Sequence, residues 1–90
     1  MKPSVGRIVH YVFKDRHGEM VHRPAMVVRN WAHENGMDAG EADDMVQLQV
    51  FTDGTNDGPE YASGLYWATS VHEDATGEKE YSWHWPERVE

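Results

Sequence analysis

The sequence predicts an all-β domain, a small five- to six-stranded SH3-like barrel, with an OB-like barrel as the alternative. Three observations lead there. Five short runs are β-rich or alternate apolar with polar residues, and clusters of Gly, Pro, Asp and Asn separate them. No helical periodicity persists over ten or more residues. A chain of 90 residues has material for one domain, 1–90, and a single sheet curled over its own edges is the practical way to bury a core at that size.

The first run, Val5 to Phe13, places Val5, Val9, Tyr11 and Phe13 on one face and Ile8, His10 and Val12 on the other. Both faces are largely apolar, so this strand is expected at the centre, or bent so that each half buries a different face. Lys14-Asp15-Arg16-His17-Gly18 reads as a hairpin turn. The second run, Met20 to Trp31, holds the apolar segment Ala25-Met26-Val27-Val28. Pro24 lacks a donor, so pairing either starts after it or leaves it on an edge.

Ala32 to Asp44 gathers Glu34, Asp38, Glu41, Asp43 and Asp44 around two glycines and reads as an acidic loop at about 32–44. Met45 to Phe51 alternates cleanly, Val46, Leu48 and Val50 against Gln47 and Gln49, as a half-buried strand does. Asp53 to Pro59 is a compact turn. Gly64 to Glu73 is expected to put Leu65, Trp67, Thr69 and Val71 on one face and Tyr66, Ala68, Ser70 and His72 on the other. A turn through Asp74-Ala75-Thr76-Gly77 leads into the last strand, Glu80 to Trp85, which Pro86 ends.

Composition limits the chemistry. With no cysteine there is no disulfide, thiolate metal site or cysteine nucleophile. No apolar run approaches a membrane span, and the opening Met1-Lys2-Pro3-Ser4 starts no signal peptide, so a soluble, cytoplasmic protein is the expectation. Net charge is −8, unevenly spread: residues 1–29 hold six of the eight basic side chains against Asp15 and Glu19 alone. An acidic total repels nucleic acid, and direct DNA or RNA binding is not expected. Either the basic early strands neutralise acidic later ones, or they leave a local patch for an anion.

The opening Lys2-Pro3-Ser4-Val5-Gly6-Arg7-Ile8-Val9-His10-Tyr11-Val12, the central Val50 to Gly58 and the closing Trp83-His84-Trp85-Pro86-Glu87 resemble a family of small phage and prophage proteins without assigned function. The resemblance implies a phage accessory protein expressed in a bacterial host. It supplies no catalytic residues.

Candidate sites follow from residue type and spacing. Asp53, Thr55 and Asp57, with Gly58 sixth, mimic the start of an EF-hand loop, but Gly64 stands where the bidentate glutamate belongs, and a plain turn accounts for the run. Six histidines are present; His17 and His22 flank the first turn, while His10, His72 and His84 lie within strands that can meet. No H-x-H or H-x-x-x-H spacing preorganises them, and no metal or other cofactor is assigned. No nucleophile motif encloses Ser4, Ser63, Ser70 or Ser82, so the protein reads as a non-enzyme.

The remaining set is aromatic and basic. Arg7, Tyr11, Arg23, Arg29, Trp67, Trp83 and Trp85 are the candidate ligand-binding residues, because arginine forks hold phosphates and aromatic faces stack bases. The competing reading has the tryptophans filling the core and the arginines pairing with acids. Trp83 and Trp85 share a face, and a core this small cannot bury both fully, so one of them or Trp31 is expected to be partly exposed. Two functions stand: a binding protein that sequesters a small anionic, nucleotide-like ligand, or an acidic module that captures a host or phage protein or mimics nucleic acid. A homo-oligomer is expected in either case, because it would cover edge strands.

Overall fold

The computed structural model describes residues 3–31 and 45–86, so the acidic segment at 32–44 lies outside the described residues. Five strands form one antiparallel sheet: β1 (Ile8–Lys14), β2 (Met20–Asn30), β3 (Val46–Phe51), β4 (Leu65–Val71) and β5 (Ser82–His84). Their spatial order is β4-β3-β2-β1-β5, with a 3-10 turn, Pro59–Tyr61, between β3 and β4. The all-β class is as the sequence predicts, but strand pairing does not close the sheet into a barrel. β4 and β5 stand at opposite ends of the strand order, and among the described residues their backbones are linked beyond the end of β4. There Glu73 bridges Trp83 in parallel, the Trp83 N–H donates to the His72 carbonyl at 3.1 Å, and the Asp74 N–H donates to the Trp83 carbonyl at 2.8 Å.

β1 is an interior strand, flanked by β2 and β5, though β2 is the central one. Val9, Tyr11 and Phe13 enter the main core with Ala25, Val27, Val46, Leu48, Val50, Tyr61, Ala68, Val71 and Trp83. Val12 points the other way yet is also fully buried. The 74–81 segment folds over it: the Tyr81 N–H donates to the Val12 carbonyl at 2.7 Å, and the Ser82 hydroxyl holds the Lys79 carbonyl at 2.6 Å. The outer face thus has a small second layer over β1.

Pro24 shows why β2 tolerates a proline between two neighbours. Asp15 and Glu19 close the β1–β2 hairpin, which makes His10–Pro24 and Val12–His22 the pairs without backbone bonds. The donorless nitrogen of Pro24 therefore faces β3, whose pairing with β2 begins one residue later, at Ala25–Val50.

β4 departs from the expected alternation. Its register against β3 shifts between Val46–Val71 and Leu48–Ala68, so Thr69 and Ser70 together oppose Gln47. Ser70 takes a left-handed φ of 52°, and its N–H is met by the Gln47 side chain at 3.3 Å. The bulge reverses the phase: Val71 is buried with Ala68, whereas Leu65 and Trp67 are exposed. Leu65, Trp67 and Val71 therefore do not share a face. The same bulge redirects the chain toward β5, where the Glu73–Trp83 bridge forms.

Candidate functional site

A cavity of about 340 Å³ opens in the seam between β4 and the residue that leads into β5. Tyr11, Tyr66, Trp67, Thr69, Ser70 and Tyr81 line it, with Ala68 and Val71 behind. This volume lies within the range of small-molecule and side-chain pockets. Its back wall is a run of touching rings, with Tyr11 6.1 Å from Tyr66, Tyr66 edge-on to Tyr61 at 5.1 Å, and Tyr61 4.4 Å from Phe13. Such contacts fix ring orientation as well as burying area.

The lining is neutral and rich in hydroxyls. Burial, then the neighbouring Tyr66 and Tyr61 phenols, pushes the Tyr11 phenol far above its ordinary value. Tyr61 is pushed up to about 12 by burial, and Tyr81 is raised by its hydrogen bond with Glu80. These phenols keep their protons at neutral pH, so Tyr11 and Tyr81 offer the cavity hydroxyls rather than charges. Backbone strain concentrates at the same place. Among the described residues, Ser70 at φ 52° and Tyr81 at φ 64° are the non-glycine residues with positive φ, and both line the cavity.

The cavity also runs along an edge of the sheet, since no other strand among the described residues pairs with the outer side of β4. The Thr52 N–H bonds the Gly64 carbonyl at 2.8 Å, and from that pair the β3–β4 register turns the backbone groups of Tyr66 and Ala68 toward β3. Those of Leu65, Trp67 and Thr69 point outward; the Ser63 hydroxyl takes up the Leu65 carbonyl and N–H at 3.1 and 3.3 Å, and Trp67 and Thr69 lie along the cavity. Trp67 is 47% exposed and closes an outer-face row with Ile8, Met26 and Gln49.

The seven residues named from sequence do not gather in one place. Tyr11 and Trp67 line the cavity. Trp83 is fully buried in the core, and Trp85 is half-buried, edge-on to it at 5.4 Å and 90°. Arg23 is committed to a buried acid, its Nε 2.8 Å from Asp57 Oδ2. The Arg29 guanidinium lies 4.7 Å from the Trp31 ring centroid, and Arg7 is exposed on the approach to β1. Tyr66 and Tyr81 belong to the aromatic set of these strands but are not among the seven candidates, and Ser70 is in neither group. Tyr66 adjoins Trp67 on an edge strand, which was a usable signal; the Ser70 bulge left none.

The Asp53–Asp57 segment is a turn that satisfies its own carboxylates. Asp53 Oδ1 accepts the Thr55 and Asn56 N–H groups, while Asp57 Oδ2 accepts the Asp53 N–H at 2.7 Å besides the Arg23 fork. Among the strand histidines, His10 and His84 do meet, with ring centroids 5.3 Å apart. The third member of that group is His22, not His72.

No helix among the described residues is long and apolar enough to cross a membrane. No family model, curated protein or solved structure matches the chain.

Proposed function

We propose that this is a non-enzymatic binding module, of the phage accessory type that its end motifs resemble, and that the β4 seam receives an extended segment of a partner protein. The observation that carries this is the coincidence of outward-facing backbone at Trp67 and Thr69 with the aromatic cavity beside it. A strand added to β4 gains main-chain hydrogen bonds, and one of its side chains enters the cavity; this is how edge strands recruit peptides. Neutral phenols suit an uncharged or aromatic side chain.

The second reading, a nucleotide-like small ligand, is favoured by the half-exposed Trp67 face and by the cavity volume. The named arginines are not among the cavity's lining residues, which places the partner-segment reading first. The exposed row of Ile8, Met26 and Trp67 is the surface that a homo-oligomer would cover.

The test is affinity capture with the wild-type chain and the Trp67→Ala variant, followed by amide-shift mapping with peptides from the captured protein. Shifts centred on Trp67, Thr69 and Tyr81, weakened in the variant, are expected. Shifts confined to the opposite edge at β5 would overturn the reading. A melting-temperature rise with nucleotides, absent in Trp67→Ala, would move the second reading ahead.

A further inference from the structure

Away from the seam, on the outer face of β1, three histidines from three strands converge. His10 stands directly opposite His84 in the β1–β5 register, and His22 pairs with Val12, one diagonal step from His10. The three offer one ring nitrogen each, and these atoms all lie within 4.8 Å of one another. His22 Nδ1 is 2.8 Å from His84 Nε2, the two rings edge-on at 5.0 Å.

The protons follow from the partners. His84 Nδ1 lies 2.8 Å from the Trp85 carbonyl, which can only accept, so Nδ1 carries the hydrogen. The neutral ring then presents the Nε2 lone pair to the cluster, and His22 Nδ1–H donates to it. A backbone carbonyl that fixes one imidazole nitrogen as donor and frees the other as ligand is the usual outer support of a metal-bound histidine.

The surroundings fit the same reading. A Cβ at Gly77 would come within 3.2 Å of His22 Cε1 and of His84 Cδ2 and Nε2, so the glycine is what lets the rings sit against this turn. Asp74 stiffens the turn, accepting from the Thr76 N–H and hydroxyl and from the Lys79 N–H at 2.8 Å. His84 is buried, His10 half-buried and His22 exposed, which gives a dry floor and an open side. A tetrahedral ion with metal–nitrogen bonds of about 2.0–2.1 Å sets its ligands roughly 3.4 Å apart. His22 and His84 are 2.8 Å apart and no pair in the group exceeds 4.8 Å, so the spacing is compatible with that value.

We propose that His10, His22 and His84 form a binding site for a divalent first-row transition ion of the zinc class. Three neutral imidazoles, without carboxylate or thiolate in the group among the described residues, favour such ions over calcium or magnesium. The fourth coordination position is open to water or to an exogenous donor. Binding replaces the hydrogen bond between His22 and His84: the His22 ring moves its proton from Nδ1 to Nε2, which frees Nδ1 as a ligand beside His84 Nε2.

The experiment uses the full chain without a histidine tag. Calorimetric titration with zinc and visible spectroscopy with cobalt(II) are run on the wild type and on His10→Gln, His22→Gln and His17→Gln. His22 and His17 are exposed, so those two changes spare the core, and circular dichroism confirms folding in all. The expected result is one equivalent bound with the intense visible bands of four-coordinate cobalt. His10→Gln and His22→Gln should each weaken affinity about tenfold or more, while His17→Gln leaves it unchanged. Wild-type affinity retained in both His10→Gln and His22→Gln, or only the faint spectrum of six-coordinate cobalt, would overturn the assignment.

Discussion

Arg23 and Asp57, 34 residues apart in the chain, form a bidentate fork, Nε to Oδ2 at 2.8 Å and the second guanidinium nitrogen to Oδ1 at 2.6 Å. The carboxylate is 1% exposed and the arginine 27%, so the pair ties the 53–58 turn to β2 at the rim of the core. The arginine fork holds the Asp57 carboxyl below the usual carboxylate range. Asp57→Asn should therefore cost about 2–3 kcal/mol, less than the ~3–5 kcal/mol of breaking a fully buried pair, because Arg23 keeps some solvent. Urea unfolding at pH 7 measures it.

The same carboxylate predicts an acid limb. Its folded pKa is lowered, so the stability it contributes is present above the unfolded value of 3.8 and lost as pH falls through the folded value. The decline in melting temperature below pH 4 should be shallower in Asp57→Asn than in the wild type. Parallel declines would show that other acids, Asp53 and Asp74 among them, set the limb.

Tyrosines set an alkaline limb of opposite sign. Tyr11 and Tyr61 are raised above 10.0 in the fold, the latter to about 12. Their contribution is fully present below pH 10 and is lost as pH rises toward the folded values, by up to about 1.4 kcal/mol per pH unit for each phenol. Unfolding followed at 295 nm should show phenolate appearing together with loss of structure. Ionisation of all four tyrosines near pH 10 in a chain that remains folded would contradict the buried ring cluster.

Ser70 carries its left-handed φ of 52° to make the β4 bulge. Ser70→Gly should be neutral or stabilise by up to about 1 kcal/mol, since relief of the strain exceeds the added chain entropy. Ser70→Val should destabilise by about 1–2 kcal/mol, because a β-branched side chain resists this conformation. Chemical denaturation of the pair separates the two effects.

Gly54 is a steric requirement of a different sort. A Cβ there would lie 2.6 Å from the Ala62 carbonyl oxygen, a backbone atom that cannot swing aside. Gly54→Ala should cost about 2 kcal/mol or more and lower the melting temperature by several degrees. An unchanged melting curve would mean that the 53–64 turn is looser than these distances require.

Much of the sheet was legible because strand alternation is a local signal. Val46, Leu48 and Val50 announce β3 unaided, and the turn at Asp15–Gly18 fixes the β1–β2 register. That register could also have placed His22 on the face of His10, since counting outward from the turn pairs it with Val12; reading it as a flank of the turn hid it. The bulge at Thr69–Ser70 was not legible, because it depends on Gln47 and on the path toward β5. Every face assigned beyond it, Val71 included, came out reversed. The arginines were misleading for a related reason: Arg23 is drawn to Asp57 by the compact 53–58 turn, and no pattern in β2 reports that partner.

Pro24 has an effect beyond its missing donor. If β3 slid along β2 to pair past Ala25, its next carbonyl would meet a ring nitrogen with no hydrogen to give. A slip of one residue would also turn Val46, Leu48 and Val50 out to solvent. The proline is thus an end-stop for register, and it makes the central pairing of the sheet directional: the strands can seat in one alignment and cannot creep past it.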